Sequence, residues 1–148
     1  MKQIRQGEFL ITKIHHVKGR IISKKLKEND VDEINPAQGR ILFFLWQKDG
    51  VSIQELSKRT ALEKSTLTCM LDRLEDAGFI RRVPCKVDRR KVLIHVTGKD
   101  EKMRPVYERV IRETNDILYQ GFTEQEIQEF ENYLNRVLKN LSEYDGDR

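Results

Sequence analysis

The stretch "CKVDRRKVLIHVT", Cys85 to Thr97, sets a cationic turn, Val87-Asp88-Arg89-Arg90, directly ahead of residues that alternate as a strand does. Val92, Ile94 and Val96 alternate there with Lys91, Leu93 and His95, which predicts a strand over 91–96. Arginine at the tip of such a ribbon can reach into a minor groove, where the potential of a duplex is most negative. A second group precedes it in Glu63-Lys64-Ser65-Thr66-Leu67-Thr68. Lys64, Ser65, Thr66 and Thr68 occupy the start of a helix, on the side away from Leu67 and Leu71. Short hydroxyl side chains approach phosphates and base edges closely, and a helix N-terminus adds a positive field.

The residues that could do catalysis or hold metal do not assemble in the sequence. His15 and His16 are adjacent and point to different sides of one helix, and His95 lies in a strand. No histidines fall at i, i+4, no glycine-rich loop could cradle phosphates, and no serine or cysteine has a recognisable base. Neither a catalytic nor a metal site is expected, and no cofactor is implied. Cys69 and Cys85 form no metal or CxxC spacing, so reduced thiols and a cytoplasmic setting are expected, with oxidant sensing not the main switch.

Charge organises the chain. Its 148 residues are 35% charged and 38% hydrophobic, with a formal net charge of +4. From 81 to 91 the cations Arg81, Arg82, Lys86, Arg89, Arg90 and Lys91 are opposed only by Asp88. The segment from Glu124 to Asp147 is acidic, so the middle of the chain is the part expected to face an anion. No apolar run approaches the roughly 20 residues that span a bilayer, so no membrane partner is expected.

The elements that would position these groups are mostly helical. Leu10, Ile14, Val17 and Ile21 predict a helix from about Glu8 to Lys27, and Asn35-Pro36 starts a second. Ser52-Ile53-Gln54-Glu55 reads as a capping box opening a short third helix. The fourth carries Leu67, Met70, Leu71 and Leu74 on one face and stops at Gly78. A hairpin over 79–83 and 91–96 follows, then helices from about Lys99 to Gln120 and from Thr123 to about Glu143. Ile127, Phe130, Leu134, Val137, Leu138 and Leu141 line one side of the last. The fold expected is mainly α with a small β-hairpin wing: a winged helix-turn-helix lobe over 36–97, with 1–34 and 98–148 as long dimerisation helices of a single subunit.

The run "SIQELSKRTALEKSTLTCMLDRLEDAGFIRRVPCKVDRRKVLIHVT" resembles the winged helix-turn-helix core of the MarR (multiple antibiotic resistance regulator) family. "LDRLEDAGFIRR" and the following "DRR" are its most specific features. The resemblance implies a homodimeric, sequence-specific DNA-binding transcriptional regulator, a repressor released when a small aromatic or phenolic effector binds. Its partner would be double-stranded DNA with a pseudo-palindromic operator. By the same resemblance Ser65, Thr66 and Thr68 belong to the recognition helix and Arg89 and Arg90 to the wing. With Lys64, Arg73 and Lys91 they make up the expected DNA-binding set. Asp72 is expected to pair with Arg90 and so orient the wing, leaving Arg89 for the minor groove. Cys69 departs from the larger polar or basic residue that relatives often carry there. The alternative reading is a winged-helix protein-interaction module whose basic wing meets an acidic partner.

Overall fold

The computed structural model describes residues 2–146; Asp147, at the end of the acidic run, lies outside them. Its elements in chain order are α1 (Gly7–Glu28), α2 (Pro36–Gln47), β1 (Val51–Ser52), α3 (Ile53–Thr60), α4 (Lys64–Asp76), β2 (Ile80–Pro84), β3 (Val92–Val96), α5 (Met103–Leu118) and α6 (Glu124–Tyr144). The chain forms two compact units that meet inside α5, one ending at Arg112 and the other beginning at Glu113.

Local chemistry sets the helix starts. The Asn35 side chain accepts from the Gln38 amide at 2.8 Å, and Gln38 Oε1 accepts from the Asn35 amide at 2.9 Å, with Pro36 at the first helical position. Thr123 and Glu126 make the same reciprocal pair at the start of α6. At α3 only half of the expected box forms. Ser52 Oγ accepts from the Glu55 amide, but the Glu55 carboxylate turns to Lys48 Nζ at 2.9 Å, because a charged partner outcompetes a backbone N–H. The fifth helix begins at Met103 rather than near Lys99. The Asp100 carbonyl accepts from the Met103 and Arg104 amides, and 99–102 form turns instead.

The expected two-stranded ribbon is a three-stranded antiparallel sheet in the order β1-β3-β2. Val51 pairs with Ile94 and Ser52 with Leu93, so β3 is the central strand. The other edge runs from Ile80 opposite Val96 to Pro84 opposite Val92. Leu67, Leu71 and Leu74 of α4 are buried with Ile41, Leu42 and Leu45 of α2, Leu56 of α3 and Ile80 and Ile94 of the sheet. Such burial contributes about 1.5–3 kcal/mol per large side chain and seats α4 firmly on this core.

The first unit closes around an unusually close contact. Gly39 lies against the Tyr107 ring, where an added Cβ would come within 2.3 Å of Cε2. Burial pushes the Tyr107 hydroxyl up to about 12, against the opposing pull of Arg40. Asp100, buried at the start of α5, accepts from Trp46 Nε1 of α2, and Arg104 stacks over the same indole. In the second unit Tyr119, Phe122 and Phe130 pack edge to face, and Tyr119 donates to Glu131 at 2.6 Å. Desolvation, and then that hydrogen bond, push the Tyr119 hydroxyl up to about 12. No side chain of α6 is buried.

Candidate nucleic-acid interface

The turn between α3 and α4 is built from short polar side chains. Ala61 takes the left-handed conformation at φ 59°. Ser57 Oγ donates to the Leu62 carbonyl and Thr60 Oγ1 to the Leu56 carbonyl, both at 2.7 Å. Backbone groups that a sharp turn would leave unpaired are thus satisfied, and α4 is offered at a fixed angle. Glu63, the residue before α4, makes no side-chain cap hydrogen bond.

With Leu67, Leu71 and Leu74 facing inward, α4 turns Lys64, Ser65, Thr66, Thr68 and Arg73 to solvent. Cys69 and Asp72 are exposed on the same helix. Helical geometry places Cys69 opposite Leu67 and Leu71, between Ser65 and Asp72 along the helix. The other thiol, Cys85, is only partly exposed.

The wing tip is shaped by one carboxylate. The Asp88 carbonyl accepts from the Lys91 amide at 3.0 Å, closing a turn over Arg89 and Arg90. Asp88 Oδ1 accepts from the Arg90 amide at 3.1 Å and from Arg90 Nε at 3.3 Å. An aspartate at the first position of such a turn fixes it through its side chain. Arg89, Arg90 and Lys91 are all exposed. Among the described residues, Lys64, Arg73, Arg89 and Lys91 have no carboxylate within ion-pair distance.

Asp72 does not pair with Arg90. Its Oδ1 accepts from Arg82 Nη2 at 2.7 Å, while Arg90 stays on Asp88 and is 93% exposed. Arg82 also donates from Nη1 to Glu75 Oε1 at 3.0 Å, and its backbone amide donates to Glu75 Oε2. The reason is reach and facing: Arg82 is rooted in β2 beside α4, whereas Arg90 sits in the distal turn. In the structure the partner of Asp72 is therefore Arg82.

The root of the wing is also tied down. Asp49 accepts from the Val96 amide at 2.9 Å and lies 3.1 Å from His95 Nδ1. Thr97 Oγ1 donates to the Gly78 carbonyl at 2.6 Å, and Lys99 Nζ reaches the Ala77 carbonyl at the end of α4. The frame therefore presents a set of cations and hydroxyls on a helix and a set of cations on the ribbon that follows it. This is the arrangement that fits a groove and the phosphates beside it.

Comparison with known proteins agrees with that geometry. Residues 34–92 match the model of the MarR family. The HTH-type transcriptional regulator TtmR of Methylorubrum extorquens is 36% identical over 72 residues, 49% of this chain and 37% of that protein. The HTH-type transcriptional regulator MgrA of Staphylococcus aureus is 35% identical over 65 residues, 44% of each chain. The chain thus spans under half the length of these curated relatives. Similarity of fold extends further. A MarR transcriptional regulator from Methanosarcina mazei Go1 superposes with a TM-score of 0.75 at 25% identity, over 93% of this chain and 99% of that one. A mutant MarR from E. coli, solved in complex with operator DNA, superposes at 0.76 and 27% identity, over 92% and 99%.

Proposed function

From the match of residues 34–92 to the MarR family model we propose that the chain is a member of that family, a sequence-specific DNA-binding transcriptional regulator acting as a homodimer. The observation that carries this reading is the pairing of an exposed, unneutralised α4 face with the exposed arginine tip that Asp88 shapes. In this reading 36–97 is the DNA-binding lobe, and 1–34 with 98–148 form the dimerisation helices. Lys64, Ser65, Thr66, Thr68 and Arg73 contact the major groove and its phosphates. Arg89 enters the minor groove, with Arg90 and Lys91 on the adjoining backbone. The regulator acts as a repressor, and an aromatic or phenolic effector releases it. An open cleft of about 440 Å³ between α1 and the start of α2, lined by His15, His16, Arg20 and Arg40 among others, offers space for such a ligand. Arg20 and Arg40 in its lining favour an acidic effector, while burial, and then Lys18 and Arg40, hold His15 below its usual value.

The test is selection of genomic fragments by the purified protein, followed by titration at several salt concentrations. The selected sites should be pseudo-palindromes with half-site centres about 10 bp apart. If even half of the cations Lys64, Arg73, Arg89, Arg90 and Lys91 of two subunits displace counterions, log affinity falls against log salt with a slope of about −4.5. A flat salt response with no selected site would overturn the reading and turn attention to an acidic protein partner.

The same geometry separates the two thiols. A bound duplex should cover Cys69, on the outward side of α4, and leave Cys85 accessible to the same degree as before. Alkylation by iodoacetamide, followed by peptide mass analysis with and without the selected duplex, measures this. A Cys69 left as reactive with the duplex as without it would mean that α4 does not face the DNA.

A further inference from the structure

We infer that Val87 is a specificity-determining residue: its apolar side chain lies between the sugar walls of the minor groove and excludes guanine beneath the wing. The inference rests on the DNA-binding reading above and adds to it a base preference at the wing. Among the described residues between 18 and 116, the exposed large hydrophobic side chains are Val87, at 97%, and Val92, at 37%. Both belong to the wing. A single exposed apolar residue is ordinary on a protein surface, so exposure alone carries nothing. What sets Val87 apart is where it is held. The Cys85 amide donates to the Lys91 carbonyl at 2.9 Å and closes a loop over 86–90. Within it Asp88 fixes the turn, accepting from the Arg90 amide through its carboxylate and from the Lys91 amide through its carbonyl. The loop thus has a defined shape, with an isopropyl group at its tip among the exposed Lys86, Arg89, Arg90 and Lys91.

A valine ringed by cations fits a surface that is anionic at its edges and apolar along its sides. A minor groove supplies both, in its phosphates and in the deoxyribose carbons of its walls. The ribbon leads toward it. Pro84 and Val92 stand directly opposite each other at the outer end of the sheet. Strand alternation puts them on the face of Arg82 and Ile94, which is turned to α4, but beyond the core, so both are exposed. An apolar step therefore runs from the helix side of the wing toward its tip. With α4 in a major groove, the sugar–phosphate ridge between the grooves passes over this step, and Val87 enters the minor groove beside Arg89. A floor of A·T pairs presents only acceptors there, whereas guanine adds its 2-amino donor. Valine can neither accept from that amine nor leave it hydrated. A·T-rich steps also narrow the groove and bring both sugar walls within reach of a short side chain. Val87 favours A·T pairs under the wing by contact, and Arg89 by charge.

The experiment uses the full-length chain and its selected duplex, with hydroxyl-radical footprinting to mark the minor-groove sugars that each wing covers. The base pairs there are then set to A·T, inosine·cytosine or guanine·cytosine, the second differing from the third only by the missing 2-amino group. The unmodified chain should bind the first two alike and the third at least about tenfold more weakly. Val87→Ala should weaken binding to the A·T duplex by about fivefold and reduce the discrimination against guanine below about threefold. Its salt slope should stay unchanged, because a methyl group displaces no counterion. Arg89→Ala should instead lower the slope by about 1.8, for one cation in each of two subunits. Urea denaturation should not distinguish Val87→Ala from the unmodified chain, since a side chain 97% exposed has almost no contact with its own fold. Discrimination that survives intact in Val87→Ala would make groove width its source and overturn the assignment, as would unchanged affinity. Failure of the unmodified chain to bind any selected duplex would overturn the DNA-binding reading, and this assignment with it.

Discussion

Removal of residues 123–148 is expected to abolish the dimer and leave a product that aggregates. In the single chain the α6 stripe is substantially exposed, with Leu134 at 39%, Val137 at 41%, Leu138 at 55% and Leu141 at 63%. Covering the exposed part of each of these four side chains contributes about 1 kcal/mol, roughly half of a full burial. A two-fold axis doubles the set to about 8 kcal/mol, before the apolar residues of α1 are added. Micromolar association needs about that much net free energy, and ordering two chains costs at least about 4 kcal/mol. The dimer can therefore lose the α6 contribution only by falling apart at ordinary concentrations. The truncated chain would still display Phe9, Leu10, Ile11, Ile14 and Val17 on α1. Exposed apolar area of that kind drives non-specific association. Sedimentation velocity decides the matter. A soluble, monodisperse truncated monomer would mean that the exposed stripe is an ordinary solvated face, and DNA binding by such a monomer would separate recognition from dimerisation.

Most of the fold was legible because its signals are local. Apolar spacing marks all the long helices, and the Asn35-Pro36 and Thr123 starts place two of them to within a residue of where they begin. Gly78, at φ 85°, marks the end of α4 in the sequence as in the structure. What stayed hidden depends on partners distant in sequence. Val51–Ser52 is too short for any alternation to show, and it becomes a strand only because β3 lies beside it. Glu55 has the right spacing to close a capping box, but Lys48 competes for it from the preceding helix end. The exposed residues of α4 were visible once Leu67, Leu71 and Leu74 fixed its inner face. The partner of Asp72 was not, because several arginines follow α4 and sequence order does not say which returns to it. Strand register decides that. Arg82 stands opposite Ile94, which is buried on the inner face of the sheet, whereas Arg81 stands opposite His95 on the outer face. A shift of one residue would have exchanged the two arginines.

That register makes Arg82 the residue on which the wing's posture should depend most. Its guanidinium lies between Asp72 and Glu75 of α4, with Nη2 also 3.4 Å from the Thr68 carbonyl. Arg82→Ala would leave two carboxylates together without a cation, on the face proposed to meet phosphate. The site is partly open, with the arginine side chain 24% exposed and the carboxylates 38% and 57%, so the folding cost falls below that of a fully buried pair. It should be about 1–2 kcal/mol, and affinity for the selected DNA should drop by roughly tenfold or more. Asp72→Ala should cost less, since Arg82 keeps Glu75. Arg82→Lys should rescue poorly, because one ammonium cannot grip two carboxylates as a planar fork does. The decisive measurement is a pair of double-mutant cycles on DNA affinity and on urea stability. Asp72→Ala with Arg82→Ala should fall short of additivity by at least about 0.5 kcal/mol, the mark of a shared contact. Asp72→Ala with Arg90→Ala should be additive within about 0.5 kcal/mol, because Arg90 is held by Asp88 and acts separately. Coupling that runs to Arg90 and not to Arg82 would show that the wing is oriented from its tip, and the account given for the Arg82 clamp would fail.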